Sequence, residues 1–234
     1  DHRDLHLSIR RQRQMCIRDR GDTTYCATGG GLMLYNNGDF EVFTTVDGLH
    51  RVDFFSISKD KYRNVWLGGK SPNGFVQIYN IERNNINIFD YGLTEITEFW
   101  VGDSIAFGAF IDGQDLGLIK WVYSDGEWSY RDIYRNFPFV IESINGIEII
   151  NNTVFLATDN GLLKADILGN LKDPNSWTLV SNDFDGPIGA MCQTNNGFAF
   201  TLNENIYKVF YNNGAIQYEQ LDIQMPVNFT DMLF

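Results

Sequence analysis

Apolar and polar positions alternate in short blocks throughout the chain. Val65 to Phe89 is the clearest unit: V-W-L-G-G, a polar loop Lys70-Ser71-Pro72-Asn73, then G-F-V-Q-I-Y, a second polar turn, and I-N-I-F. The unit recurs. With the glycine that opens the middle apolar run as a marker, it returns at Gly31, Gly74, Gly117 and Gly161, with Asn205 in the fifth position, in steps of 43, 43, 44 and 44 residues. A fixed period in the forties, built from short apolar runs between turn residues, predicts a β-propeller in which each repeat is one four-stranded blade. Asn36-Asn37-Gly38, Ser124-Asp125-Gly126, Asn151-Asn152 and Asn212-Asn213-Gly214 sit between apolar runs and predict tight hairpins, because such turns need positive φ at their central residues.

Five blades follow in order, at about 21–49, 50–93, 94–137, 138–185 and 186–225, with 226–234 starting a sixth. The first blade lacks an inner strand in this reading. Both ends then fall inside a repeat, so the chain is expected to be an incomplete piece of a larger propeller. Inner strands such as Phe54-Phe55 and Val65 to Leu67 are apolar on both pleat faces, which suits strands packed between neighbouring sheets, whereas the outer strand Ile86-Asn87-Ile88 alternates. Blade three diverges most, and blade four has a longer connection containing Pro174.

Residues 1–20 break the pattern. They carry six Arg against Asp1, Asp4 and Asp19, have no periodicity, and contain Met15-Cys16-Ile17-Arg18-Asp19-Arg20, which resembles translated sequencing-adapter read-through. The segment is therefore set aside as non-native and disordered. A basic nucleic-acid arm or a transit peptide fits the charge less well with no initiating Met. Without it the formal charge moves from −12 to about −15. So acidic a surface repels nucleic acid and anionic lipid, and no apolar run is long enough to span a bilayer. Cys26 and Cys192 remain, far apart in apolar runs, and read as small buried hydrophobes more readily than as a disulfide or metal pair.

Cys26 to Tyr35 (C-A-T-G-G-G-L-M-L-Y), Phe40 to Phe43, Asp47-Gly48-Leu49 and Asn64 to Gly69 (N-V-W-L-G-G) together resemble the two-component-regulator propeller repeat. The match covers blades one and two well. Blade three lacks the W-x-G element, and Asn205 replaces a glycine in blade five. The resemblance implies an extracytoplasmic sensor propeller, periplasmic or extracellular, whose ligand is a glycan fragment or a protein. Similar repeats occur in surface proteins associated with type IX secretion, which is the alternative scaffold role.

No serine-hydrolase, zinc-protease, P-loop or paired C-x-x-C signature is present, so no enzyme activity and no cofactor are expected. A propeller lyase or hydrolase with its active residues in further blades is the remaining alternative. The candidate ligand-binding residues lie in loops that would line one propeller face: His50, Arg51, Lys70, Asn73, Asp112, Asp115, Asp159 and Asn160. One His without a partner is no general base. Asp112 to Asp115 and Asp183 to Gly186 lack the spacing of a full calcium loop and read as turns. Of Tyr35, Tyr79, Trp66, Trp100, Trp121 and Trp128, several occupy strand positions equivalent between repeats, which assigns them to packing rather than to a sugar platform.

Overall fold

The computed structural model describes residues 15–18, 23–212 and 215–222, the side chains of 15–18 excepted. It contains five four-stranded antiparallel sheets, each a meander in chain order. The first is β1 (Met15–Arg18), β2 (Thr23–Thr28), β3 (Gly31–Asn36) and β4 (Asp39–Phe43); the second β5 (Phe54–Lys59), β6 (Asn64–Gly69), β7 (Gly74–Asn80) and β8 (Asn85–Leu93). The third is β9 (Glu95–Val101), β10 (Ile105–Asp112), β11 (Asp115–Ser124) and β12 (Glu127–Tyr134). In the fourth, β13 (Ile144–Ile150), β14 (Thr153–Thr158) and β15 (Gly161–Asp166) are joined by the two-residue β16 (Thr178–Leu179). The fifth is β17 (Ile188–Thr194), β18 (Gly197–Leu202), β19 (Asn205–Asn212) and β20 (Ala215–Leu221).

The expected hairpins form. Asn37 and Gly38 have φ of 49° and 98°, Asp125 and Gly126 of 54° and 91°, and Asn151 and Asn152 of 46° and 65°, all left-handed as such turns require. The marker glycine has a steric cause as well. A Cβ on Gly31 would lie 2.2 Å from the Phe43 carbonyl oxygen, and one on Gly161 would lie 2.8 Å from that of Phe184. The chain leaving the fourth strand closes against the start of the third. Only a residue without a side chain admits that approach.

Three expectations change. The first sheet has its inner strand: β1 pairs antiparallel with β2, Cys16 opposite Cys26 in register. An open β2 edge would leave backbone donors and acceptors unpaired, and β1 supplies their partners. Cys26 is disulfide-bonded, against its reading as a plain buried hydrophobe, whereas Cys192 is free. In the second sheet the deepest burial lies in β6 and β7, the latter buried along its full length, whereas β5 is partly exposed and β8 alternates. The rest of residues 1–20, the turn at 213–214 and the expected sixth-blade strand at 226–234 lie outside the described residues.

The described residues fall into two compact units, those within Asp1–Asp115 and Ile119–Asp132, and those within Leu116–Leu118 and Ile133–Phe234. In the first, Ala27 and Leu32 of the first sheet pack with Phe54, Leu67, Phe75 and Tyr79 of the second. Trp66 then meets Trp121 and Trp128 of the third sheet edge-on, with centroids 5.4 Å and 5.0 Å apart. These rings are buried, as their repeat positions imply. Tyr35 differs: it is 37% exposed and packs on Phe40 of its own hairpin. In the second unit, Phe155, Leu162, Phe184, Phe198 and Phe200 centre a separate core.

Candidate functional site

At one end of the second sheet the connection from β4 to β5 is shaped residue by residue. Thr44 caps a 3-10 turn at Thr45–Asp47: its hydroxyl accepts from the Val46 N–H, and the Asp47 carboxylate accepts from the Thr44 N–H at 2.9 Å. Gly48, at φ 103°, ends the turn and leads to His50 and Arg51. Gln77 of β7, fully buried, then fixes their backbone. Its Oε1 accepts from the His50 and Arg51 N–H groups at 3.1 and 3.3 Å, and its Nε2 donates to the Arg51 carbonyl at 2.8 Å. Sequence reasoning missed Gln77. A single polar residue inside the fully apolar run F-V-Q-I-Y was the available signal.

Arg51 is itself engaged. Its guanidinium donates to the Asn73 carbonyl at 3.2 Å and to Asp90 Oδ2 at 2.7 Å, and lies 4.9 Å from the Phe75 ring centroid. The Gly92 backbone N–H, and after it the Arg51 guanidinium, hold the Asp90 carboxyl below its ordinary range. Lys70 places its Nζ 3.8 Å from the Phe55 centroid, with the ammonium exposed. The Ser71–Pro72 peptide is cis.

The third sheet contributes the hairpin between Asp112 and Asp115. It is tied to the second sheet's exit, since the Gly113 N–H donates to Thr94 Oγ1 at 2.9 Å and the Thr94 N–H to the Ile111 carbonyl at 2.9 Å. Asp112 is half-buried and has a partner, while Asp115 is exposed. This end of the first unit thus gathers His50, Arg51, Lys70, Asn73, Asp112 and Asp115. The side chains of His50, Asn73 and Asp115 make no hydrogen bond or ion pair among the described residues.

Asp159 and Asn160 belong to the second unit and act on their own chain. Asp159 Oδ1 accepts from the Glu142 and Ser143 N–H groups at 2.8 and 3.1 Å, and Asn160 Nδ2 donates to the Val140 carbonyl at 2.8 Å. They brace the entry to β13. Among the described residues, no group of three or more His, Cys, Asp or Glu is gathered to hold a metal ion.

No protein-family model and no curated protein matches the chain. Solved structures do. The type IX secretion surface component PorZ of Porphyromonas gingivalis aligns with a TM-score of 0.65 at 14% identity, over 88% of this chain and 27% of that one. The extracellular domain of the protein BT3049 of B. thetaiotaomicron, described as a hybrid two component system, aligns at 0.58 and 15% identity, over 84% of this chain and 26% of that one. A similar domain of BT4673 from the same organism gives 0.59 and 13% over 87% of this chain and 27% of that one. The fold is β-propeller-like. This chain spans about a quarter of the length of these structures.

Proposed function

We propose that the chain is an extracytoplasmic, non-catalytic binding module that takes an oligosaccharide at the loop end of its second and third sheets. One observation carries this reading. Gln77 and Arg51 immobilise the backbone of the connection and of the Lys70 to Asn73 loop, while His50, Asn73 and Asp115 remain free to meet a ligand and the Lys70 ammonium, over the Phe55 ring, stays exposed. Exposed amide, carboxylate and cationic groups on fixed backbone suit a hydroxyl-rich ligand. The structural likeness to domains described as extracellular supports an extracytoplasmic location.

A glycan array probed with the labelled protein tests it. The expected result is a restricted set of bound glycans, lost in Lys70→Ala and Asn73→Ala with unchanged thermal midpoint. Equal binding by wild type and both variants removes the loop end from consideration. The likeness to PorZ favours a second reading, a surface scaffold that contacts protein, for which the array stays blank and cross-linking at Lys70 captures a protein.

A further inference from the structure

The opposite end of the second and third sheets carries a different kind of cavity. The hairpins β5–β6, β7–β8 and β11–β12 enclose an open cleft of about 170 Å³. It is too small for a drug-sized ligand and suits a small metabolite. One wall is the stacked pair Tyr62 and Tyr123, with centroids 3.9 Å apart and planes at 16°. The Tyr62 hydroxyl also donates to the Asp103 carbonyl at 3.1 Å.

Part of the polar lining is consumed by the fold. Asn64 Nδ2 donates to Asp60 Oδ2 at 2.7 Å, Asn80 Nδ2 donates to Asn64 Oδ1 at 2.9 Å, and Asn80 Oδ1 accepts from the Arg83 N–H at 3.0 Å. Four side chains lining the cleft are not consumed. The Arg83 guanidinium, the Glu127 carboxylate and the Asn85 and Asn87 amides have no partner among the described residues. Their neighbours Lys61 and Arg63 are by contrast paired, with Asp103 at 3.2 Å and with Glu82.

We propose that this cleft binds a small zwitterion of the free amino-acid class, its α-carboxylate on Arg83 and its α-ammonium on Glu127. One unpaired cation and one unpaired anion line the same small cleft from different hairpins, and a ligand bearing both charges can engage both. A guanidinium matches a carboxylate with two parallel N–H donors, and a carboxylate accepts from an ammonium. A neutral polyol engages neither charge, and a simple anion or amine engages only one. Asn85 and Asn87 are placed to serve whatever polar atoms the ligand's side chain carries.

Ligand-detected NMR with L-serine and L-asparagine, on the whole chain, tests the assignment. Saturable binding is expected, and it should weaken by about tenfold or more for lactate, which lacks the ammonium, and for ethanolamine, which lacks the carboxylate. Arg83→Gln and Glu127→Gln should each lose a similar factor. Both residues are exposed, Arg83 in a turn and Glu127 at the first position of β12, so the thermal midpoint should not move. The loop-end variant Lys70→Ala should bind L-serine as wild type does, which keeps this test independent of the glycan one. The assignment is overturned if no amino acid binds, if methyl α-glucoside binds as well as L-serine, or if neither variant changes the affinity.

Discussion

Trp128 Nε1 donates to Asp60 Oδ2 at 2.8 Å, so a turn of the second sheet and a strand of the third share one buried carboxylate. Asp60, only 5% exposed, also accepts from the Tyr62 and Asn64 N–H groups at 2.8 and 2.9 Å and from Asn64 Nδ2 at 2.7 Å. Asp60→Ala leaves all of these donors without an acceptor and should cost about 3 kcal/mol or more. Trp128→Phe should cost about 1–2 kcal/mol. Urea denaturation of both variants and of the double variant should give non-additive losses, because the two side chains share one interaction.

That contact marks where the sequence stops being readable. The sheets were legible because apolar runs and Asn-Gly-type turns are local signals, and the recurrent glycine answers to a backbone approach within its own blade. Asp60 reads as an ordinary turn residue in K-D-K-Y-R, since nothing nearby in the chain announces an indole 68 residues away. Distance along the chain also hid the clamp made by Gln77. Loop position correctly placed Arg51, Asp159 and Asn160 at connections, yet it could not tell a side chain turned towards a ligand from one turned back onto its own backbone. In the fourth sheet the outer strand is only Thr178–Leu179. The 3-10 turn at Pro174–Ser176 and the Trp177 indole bond to the Leu171 carbonyl hold the preceding chain away from the sheet edge.

Two glycines at positive φ should respond unequally to a methyl group. Gly31→Ala meets the Phe43 carbonyl at 2.2 Å from a φ of 137°, so a loss of about 3 kcal/mol is expected. Gly113, at φ 66°, has nothing within 4 Å, and its alanine variant should lose only about 1 kcal/mol. Paired thermal melts would show the contrast, and equal losses would refute the role given to close approach.

The Arg51–Asp90 pair should give a small, pH-dependent effect. The Asp90 carboxyl is held below its unfolded value of 3.8, so its contribution is present above that pH and fades as pH falls through the lowered folded value. Arg51→Ala should therefore destabilise by under about 1 kcal/mol at neutral pH, in keeping with an exposed pair. Part of that difference should vanish in acid. Denaturation curves at neutral pH and well below 3.8 would show whether the gap between wild type and variant narrows.

Cys192 should be chemically quiet. Burial pushes its thiol up to about 11, opposed by the Ala199 contact. With little thiolate present at pH 8, iodoacetamide should modify the folded chain at least tenfold more slowly than the urea-unfolded one. Mass spectrometry over a time course would record the two rates.

Because each sheet among the described residues is a meander in chain order, its backbone ladders close within one repeat length. A gene could therefore gain or lose one whole unit by a single in-frame duplication or deletion without rewiring any existing ladder. The loops at the two ends of each unit could then diverge independently, which lets one scaffold acquire unrelated ligands at opposite faces.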